Sequence, residues 1–173
     1  MLLAAEHLSI NFGTRQLLSD VNFYLEEGKK AGVIGINGTG KSTFLKVLAG
    51  HLEPDAGRLT RNPNTQISYL PQNPVMDDNA TVLEQVFLHF PKEFRELSEY
   101  EAKSMLTKLG LRDHDQKVGT LSGGQRKRVA LVSALVHPAD ILILDEPTNH
   151  LDSEMVAWLE ERLRAFRGGI VMV

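Results

Sequence analysis

Polar and apolar positions alternate along Leu8-Ser-Ile-Asn-Phe12 and again along Val21-Asn-Phe-Tyr-Leu25, with Gly13 between the two runs and Glu26-Glu27-Gly28 after them. Alternation puts every second side chain on one face, so both runs predict half-buried strands joined by a turn. Ala31-Gly-Val-Ile34 is apolar without alternation and predicts a short buried strand. From Lys41 to Ala49 the spacing becomes helical, with Phe44, Leu45 and Leu48 on one side and Gly50 as the stop. Residues 57–70 return to β character, clearest at Ile67-Ser-Tyr-Leu70. Thr81-Val-Leu-Glu84 and Ser98-Glu-Tyr-Glu101 are capping-box patterns that predict two helix starts. Pro91 interrupts the first helix, and the second runs to Leu109 before Gly110. Val129, Val132, Leu135 and Val136 line one side of a further helix that Pro138 stops. Ile141-Leu-Ile-Leu144 is unrelieved aliphatic, as a parallel strand covered on both faces must be. Val156, Leu159, Leu163 and Phe166 mark a last amphipathic helix, and Ile170-Val-Met-Val173 opens another buried strand.

Strand–helix alternation of this kind predicts an α/β fold with a mainly parallel sheet between helices. The 173 residues match one domain with room for a real core, and no cysteine is present for a disulfide or thiolate metal site. No apolar run approaches the roughly 18 residues of a membrane-spanning helix, and the start lacks the basic residues of a secretion signal, so a cytoplasmic protein is expected. The net charge of −3 gives no general attraction to nucleic acid, and the local basic run Arg126-Lys-Arg128 could touch phosphates but reads first as the solvated face of a helix. The chain ends inside its last predicted strand, which is expected of a piece of a longer polypeptide.

Three short segments carry chemistry. Gly35-Ile-Asn-Gly-Thr-Gly-Lys-Ser-Thr43 lies between a predicted strand and a predicted helix. Gly35, Gly38 and Gly40 let the backbone curl its N–H groups around an anion, Asn37 and Thr39 lie within that curl, and Thr43 closes the run. Lys41 then reaches the β- and γ-phosphates and the Ser42 hydroxyl is placed for Mg²⁺. The helix start adds its own free N–H groups and dipole. Asp145 follows the aliphatic strand at its C-terminal end, where α/β folds bind ligands, and suits Mg²⁺. Glu146 is expected to point elsewhere, by strand alternation, and to polarise an attacking water. Gln72, after Tyr69-Leu-Pro71, is a neutral amide able to ligate Mg²⁺ or orient water.

The third segment, Leu121-Ser-Gly-Gly-Gln125, decides which phosphate-loop enzyme the chain resembles. It is similar to the signature of ATP-binding cassette (ABC) domains, and the resemblance extends over essentially the whole chain. It makes residues 35–43 the Walker A loop, Ile141–Asp145 the Walker B strand, Gln72 the Q-loop and Leu151-Asp152 the D-loop. Phe12 falls where the family stacks an aromatic on adenine. The implied fold is a P-loop NTPase core over 31–50 and 119–173, an antiparallel β subdomain over 1–30 and 57–71, and a helical subdomain over 76–118. The implied ligands are ATP and Mg²⁺: Phe12, residues 35 and 37–43, and Ser122, Gly123, Gly124 and Gln125 bind the nucleotide. Ser42, Gln72 and Asp145 hold the metal, while Glu146, Lys41 and Gln72 serve hydrolysis. In this family the signature of one cassette closes over the γ-phosphate held by another, so a second cassette, fused or in a homodimer, is an implied partner.

Within Asp145-Glu-Pro-Thr-Asn-His-Leu-Asp152, the pair Asn149-His150 resembles the ABC-F subfamily. Those are soluble two-cassette proteins whose studied members act on the ribosome, and Arg126-Lys-Arg128 after the signature resembles them too. Two features depart from that pattern. First cassettes of the subfamily carry a long helical insertion between Q-loop and signature, whereas this interval is short, with Leu88 to Arg95 as the join. The switch histidine, which follows the strand begun by Ile170, lies outside the chain, so weak hydrolysis is expected of this piece alone. The alternative reading is the ATP-binding subunit of a membrane transporter, with an integral membrane partner. DNA-repair cassettes carry very long insertions or zinc cysteines, which this chain lacks.

Overall fold

In the computed structural model, residues 1–173 form two units. The first unit comprises Met1–Gln72, Pro138–Pro147 and Ala165–Val173. Strands β1 (Leu3–Phe12) and β2 (Arg15–Leu25) form a hairpin across Gly13-Thr14, at the turn the alternating pattern predicts. Next come β3 (Lys30–Gly32), helix α1 (Lys41–Leu48), β4 (Ala56–Arg61) and β5 (Ile67–Leu70). The same unit holds β6 (Ile141–Leu144) and β7 (Gly169–Met172). One sheet has the antiparallel order β2-β1-β4, the other the wholly parallel order β3-β7-β6-β5. Leu3, Leu8, Ile10 and Leu25 of the first sheet, Phe44, Leu45, Val47 and Leu48 of α1, and Ile141, Ile143 and Val171 of the second share one buried cluster.

Two sequence expectations change here. The region 57–71, expected in the antiparallel subdomain, divides: β4 joins β1, whereas β5 lies parallel to β6. An aliphatic strand buried on all four residues needs a neighbour on each side, and β5 and β7 supply them to β6. The Gln66 N–H donates to the Asp140 carboxylate at 2.8 Å, setting the register Ile67↔Ile141. Ala31–Ile34, expected as a buried strand, is instead β3 at the sheet edge, and Ile34 beyond it is 96% exposed. An edge strand has no neighbour to cover its far side.

The second unit comprises Asn73–His137 and Thr148–Arg164. It carries α2 (Val82–Val86), α3 (Lys92–Lys108), a 3-10 turn at Val118–Thr120, α4 (Gly123–Val136) and nearly all of α5 (Ser153–Ala165). The Thr81 capping box forms in full: the Glu84 N–H donates to the Thr81 hydroxyl at 3.1 Å, and the Thr81 N–H to the Glu84 carboxylate at 3.0 Å. The Ser98 box does not. One continuous helix starts after Pro91 and runs through Ser98, because proline ends one segment and pre-sets φ for the next. Glu99 instead spends its charge along the helix, 4.0 Å from Arg95 and 3.4 Å from Lys103. The helix α4, expected in the core region 119–173, groups with the helical unit, where the Ser133 hydroxyl donates to the Val86 carbonyl at 2.8 Å. Phe87, Phe90 and Phe94 pack edge-to-face or tilted against one another there, with His137 edge-on to Phe90 at 4.9 Å. Burial holds the His137 imidazole below its usual pKa.

Candidate nucleotide site

All four strands of the parallel sheet end on the same edge, and each functional segment of the first unit leaves from that edge. The phosphate loop follows β3, Gln72 follows β5, and Asp145 and Glu146 follow β6. Gly40 caps α1 in the left-handed region at φ 96°, and no side chain caps the helix. Its first N–H groups are therefore open to an anion, as a phosphate cradle requires. A Cβ at Gly35 would lie 2.9 Å from the Thr39 hydroxyl, so a larger residue would displace that side chain. The loop is braced from inside: the Thr39 hydroxyl donates to the Ile36 carbonyl at 2.6 Å, and the Lys41 ammonium donates to the Gly35 carbonyl. Arg15 braces it from outside, donating to the Gly38 carbonyl at 2.6 Å. Sequence reading missed Arg15, since a cation on a strand far upstream carries no motif. Arg15 pairs with Phe12 across the hairpin. Phe12 is 55% exposed, so it is no core residue and its ring is available for stacking.

Asp145 is the electrostatic anomaly of the unit. Its side chain is 3% exposed, and neither carboxylate oxygen accepts a hydrogen bond of ordinary geometry. Burial pushes its pKa above the usual aspartate value. The nearby Ser42 hydroxyl pulls the other way without reaching full hydrogen-bond geometry, Glu146 raises the value further, and Lys46 and Lys41 lower it. A buried carboxylate with open lone pairs beside a hydroxyl fits a divalent cation, so the donor set Ser42 and Asp145 suits Mg²⁺. The Tyr69 hydroxyl is also buried without a partner, and its pKa is pushed up to about 12 by burial and then by the Asp145 charge. Gln72 Nε2 lies 3.4 Å from Glu146 Oε2, bringing together two side chains far apart in sequence. Strand alternation, the expected reason for Glu146 to point away from Asp145, does not apply here: Glu146 lies beyond β6 with φ 49°, in the left-handed region. A non-glycine residue held there is strained, as residues at functional sites often are.

The signature segment belongs to the helical unit. The Ser122 hydroxyl accepts the Gln125 N–H at 3.2 Å, and the Ser122 N–H donates to the Gln125 side-chain oxygen at 2.9 Å. Serving as acceptor, the Ser122 hydroxyl keeps its own hydrogen for an outside partner. Gln125 thus spends its oxygen on the cap. The Arg126-Lys-Arg128 run is not one solvated face: Arg126 pairs with Asp78 at 2.8 Å, and Arg128 donates to the Leu109 carbonyl at 2.8 Å. His150, at φ 65°, lies over the second signature glycine: a Cβ on Gly124 would meet the His150 ring and Cβ at 3.2–3.4 Å, whereas one on Gly123 meets nothing within 4 Å. Gly124→Ala should therefore lower the melting temperature while Gly123→Ala leaves it unchanged, and adding His150→Ala should restore the first variant. Thermal unfolding of the three variants checks this; equal melting of the two alanine variants would contradict it.

The family profile described as ABC transporter matches residues 18–149. The chain belongs to that family. Its relatives include the uncharacterized ABC transporter ATP-binding protein YfmR of Bacillus subtilis (strain 168), 37% identical over 99% of this chain and 33% of the relative. The energy-dependent translational throttle protein EttA of Haemophilus influenzae is 35% identical over 92% of this chain and 35% of its own length. The chain thus spans about a third of the length of these curated relatives. The YfmR match runs over 209 positions against the 173 residues here, so part of the relative inside the match has no counterpart. Among solved structures, an ATP-binding subunit of an ABC transporter superposes with TM-score 0.85 at 26% identity, covering all of this chain and 79% of that one. The archaeal ribosome recycling factor aABCE1, solved with the stalk protein aP1, gives TM-score 0.78 at 30% identity, covering 98% and 33%. This ABC chain is an ATPase domain of the P-loop class, and it carries no helix long and apolar enough to cross a membrane.

Proposed function

We propose that the chain is one nucleotide-binding cassette of a cytoplasmic ABC-F-type ATPase that acts on the ribosome, binding ATP with Mg²⁺ and hydrolysing it between two cassettes. The observation that carries the subfamily is Asn149-His150, with His150 seated on Gly124 of the signature. The names of EttA and of the archaeal recycling factor link relatives of this chain to translation.

In this reading Phe12 stacks on the adenine, and the backbone of residues 35–40 with Lys41, Ser42 and Thr43 encloses the phosphates. Ser42, Asp145 and Gln72 would hold Mg²⁺, which when bound neutralises charge on the phosphate oxygens. Lys41 moves from the Gly35 carbonyl to the phosphates, exchanging a neutral partner for an anionic one. Glu146, with Gln72 beside it, accepts hydrogen bonds from the attacking water and orients it. Ser122 and Gly123 offer a hydroxyl hydrogen and backbone N–H groups to the γ-phosphate held by the other cassette. ATP then bridges two cassettes, and its hydrolysis removes the bridging charge.

A second reading, the ATP-binding subunit of a transporter, is favoured by the full-length superposition on such a subunit and by the short helical interval between Gln72 and Leu121. Capture of the Glu146→Gln protein with ATP from cytosol and from solubilised membranes separates the two. Ribosomal RNA in the eluate supports the ribosomal reading; an integral membrane protein without ribosomal RNA overturns it.

A further inference from the structure

The helical unit contains a groove of about 660 Å³ between one face of α3 and the first half of α5. Its α3 wall repeats every three or four residues, Tyr100, Lys103, Ser104, Thr107 and Lys108, so it is a single helix face. Across the groove stands Trp158, with Arg112 at one end. Tyr100 is 86% exposed, which alone means little. Its company changes that. The Arg162 guanidinium lies 5.7 Å from the Trp158 ring centre and is itself tied to Glu101 at 2.8 Å, so the indole is held in place rather than free.

The charges around these rings are unequal. Lys108 and Arg112 form no ion pair, and Lys103 has only the exposed, weak pairing with Glu99. The wall also carries two acids, Glu154 and Asp152, the latter accepting the Met155 N–H at 2.8 Å as the cap of α5, so three cations stand against two carboxylates. A chain of net charge −3 thus has a groove with a small excess of positive charge and two rings on it. Rings that stack and cations that follow a phosphate backbone are the two components by which proteins hold single-stranded nucleic acid. An acidic peptide would satisfy the cations but leave the exposed Tyr100 ring without a stacking partner. The volume lies within the range of small-ligand pockets, enough for roughly one or two nucleotides and not for a duplex.

We infer that this groove binds single-stranded nucleic acid, a base stacking on Tyr100 or Trp158 and the backbone phosphates meeting Lys103, Lys108 and Arg112. The inference is independent of the nucleotide site and of the ribosomal reading.

Trp158 is the only tryptophan of the chain, so its fluorescence reports on this groove alone. Titration with a short oligouridylate should quench it saturably, with an affinity that falls as salt is raised. The double variant Lys108→Glu/Arg112→Glu should weaken binding at least about tenfold, and Tyr100→Ala, whose exposed ring costs the fold nothing, by roughly tenfold. If the charge-reversed protein fails to fold, Tyr100→Ala decides. Absence of saturable quenching, quenching unchanged in these variants, or equal quenching by polyglutamate each overturns the assignment.

Discussion

Asp145→Asn is expected to raise the melting temperature of the nucleotide-free chain while abolishing Mg²⁺-dependent nucleotide binding. The wild-type carboxylate is buried with neither oxygen in a hydrogen bond of ordinary geometry, so its ionised form is a buried charge eased only in part by Ser42, Lys46 and Lys41. The amide keeps the shape and removes the charge. The amide still buries polar atoms, so removal of the charge alone is worth on the order of 1 kcal/mol, and each kcal/mol is about 2–4 °C for a chain of this size. The pH dependence gives the sign. Asp145 titrates above its ordinary value in the folded chain, so the folded state takes up this proton before the unfolded one. The wild type therefore recovers stability relative to Asp145→Asn as pH falls through that raised pKa toward the ordinary aspartate range. Above it the variant's advantage is full. Thermal unfolding at several pH values, with and without Mg²⁺–ATP, checks both halves. A variant less stable than wild type at neutral pH would mean that Asp145 is paired after all.

Glu146→Gln should leave ATP binding intact and lower hydrolysis by about 10²–10⁴-fold, the range for loss of a positioned general base. The amide retains the hydrogen-bonding distance to Gln72 but cannot accept a proton. With the bridging phosphate no longer removed, the ATP-bound pair of cassettes should persist. Size exclusion of this variant with ATP should then show a dimer, and a fused two-cassette protein a more compact species. Monomer alone under these conditions, or turnover near the wild-type rate, would contradict the composite site.

The segments of the candidate site were legible in the sequence because each is local. Gly35 to Thr43 needs only a strand before it and a helix after it, and Ser122 to Gln125 is a cap that forms within four residues. Long-range relations were not legible. The Arg15 bond to Gly38, the seat of His150 over Gly124 and the approach of Gln72 to Glu146 arise from strand order and backbone angles. The Ser98 pattern misled because a capping box is a local signal that an established helix overrides. The edge position of β3 follows from strand order alone, which leaves no trace in Ala31–Ile34.

The most direct test of the account is the equilibrium binding of ATP by calorimetry, in Mg²⁺ and in EDTA, for the wild type and for Lys41→Ala. The account predicts saturable binding by the wild type that weakens in EDTA and is lost in Lys41→Ala. Equal affinity in the variant, or no binding by a wild-type chain that melts cooperatively, would contradict it.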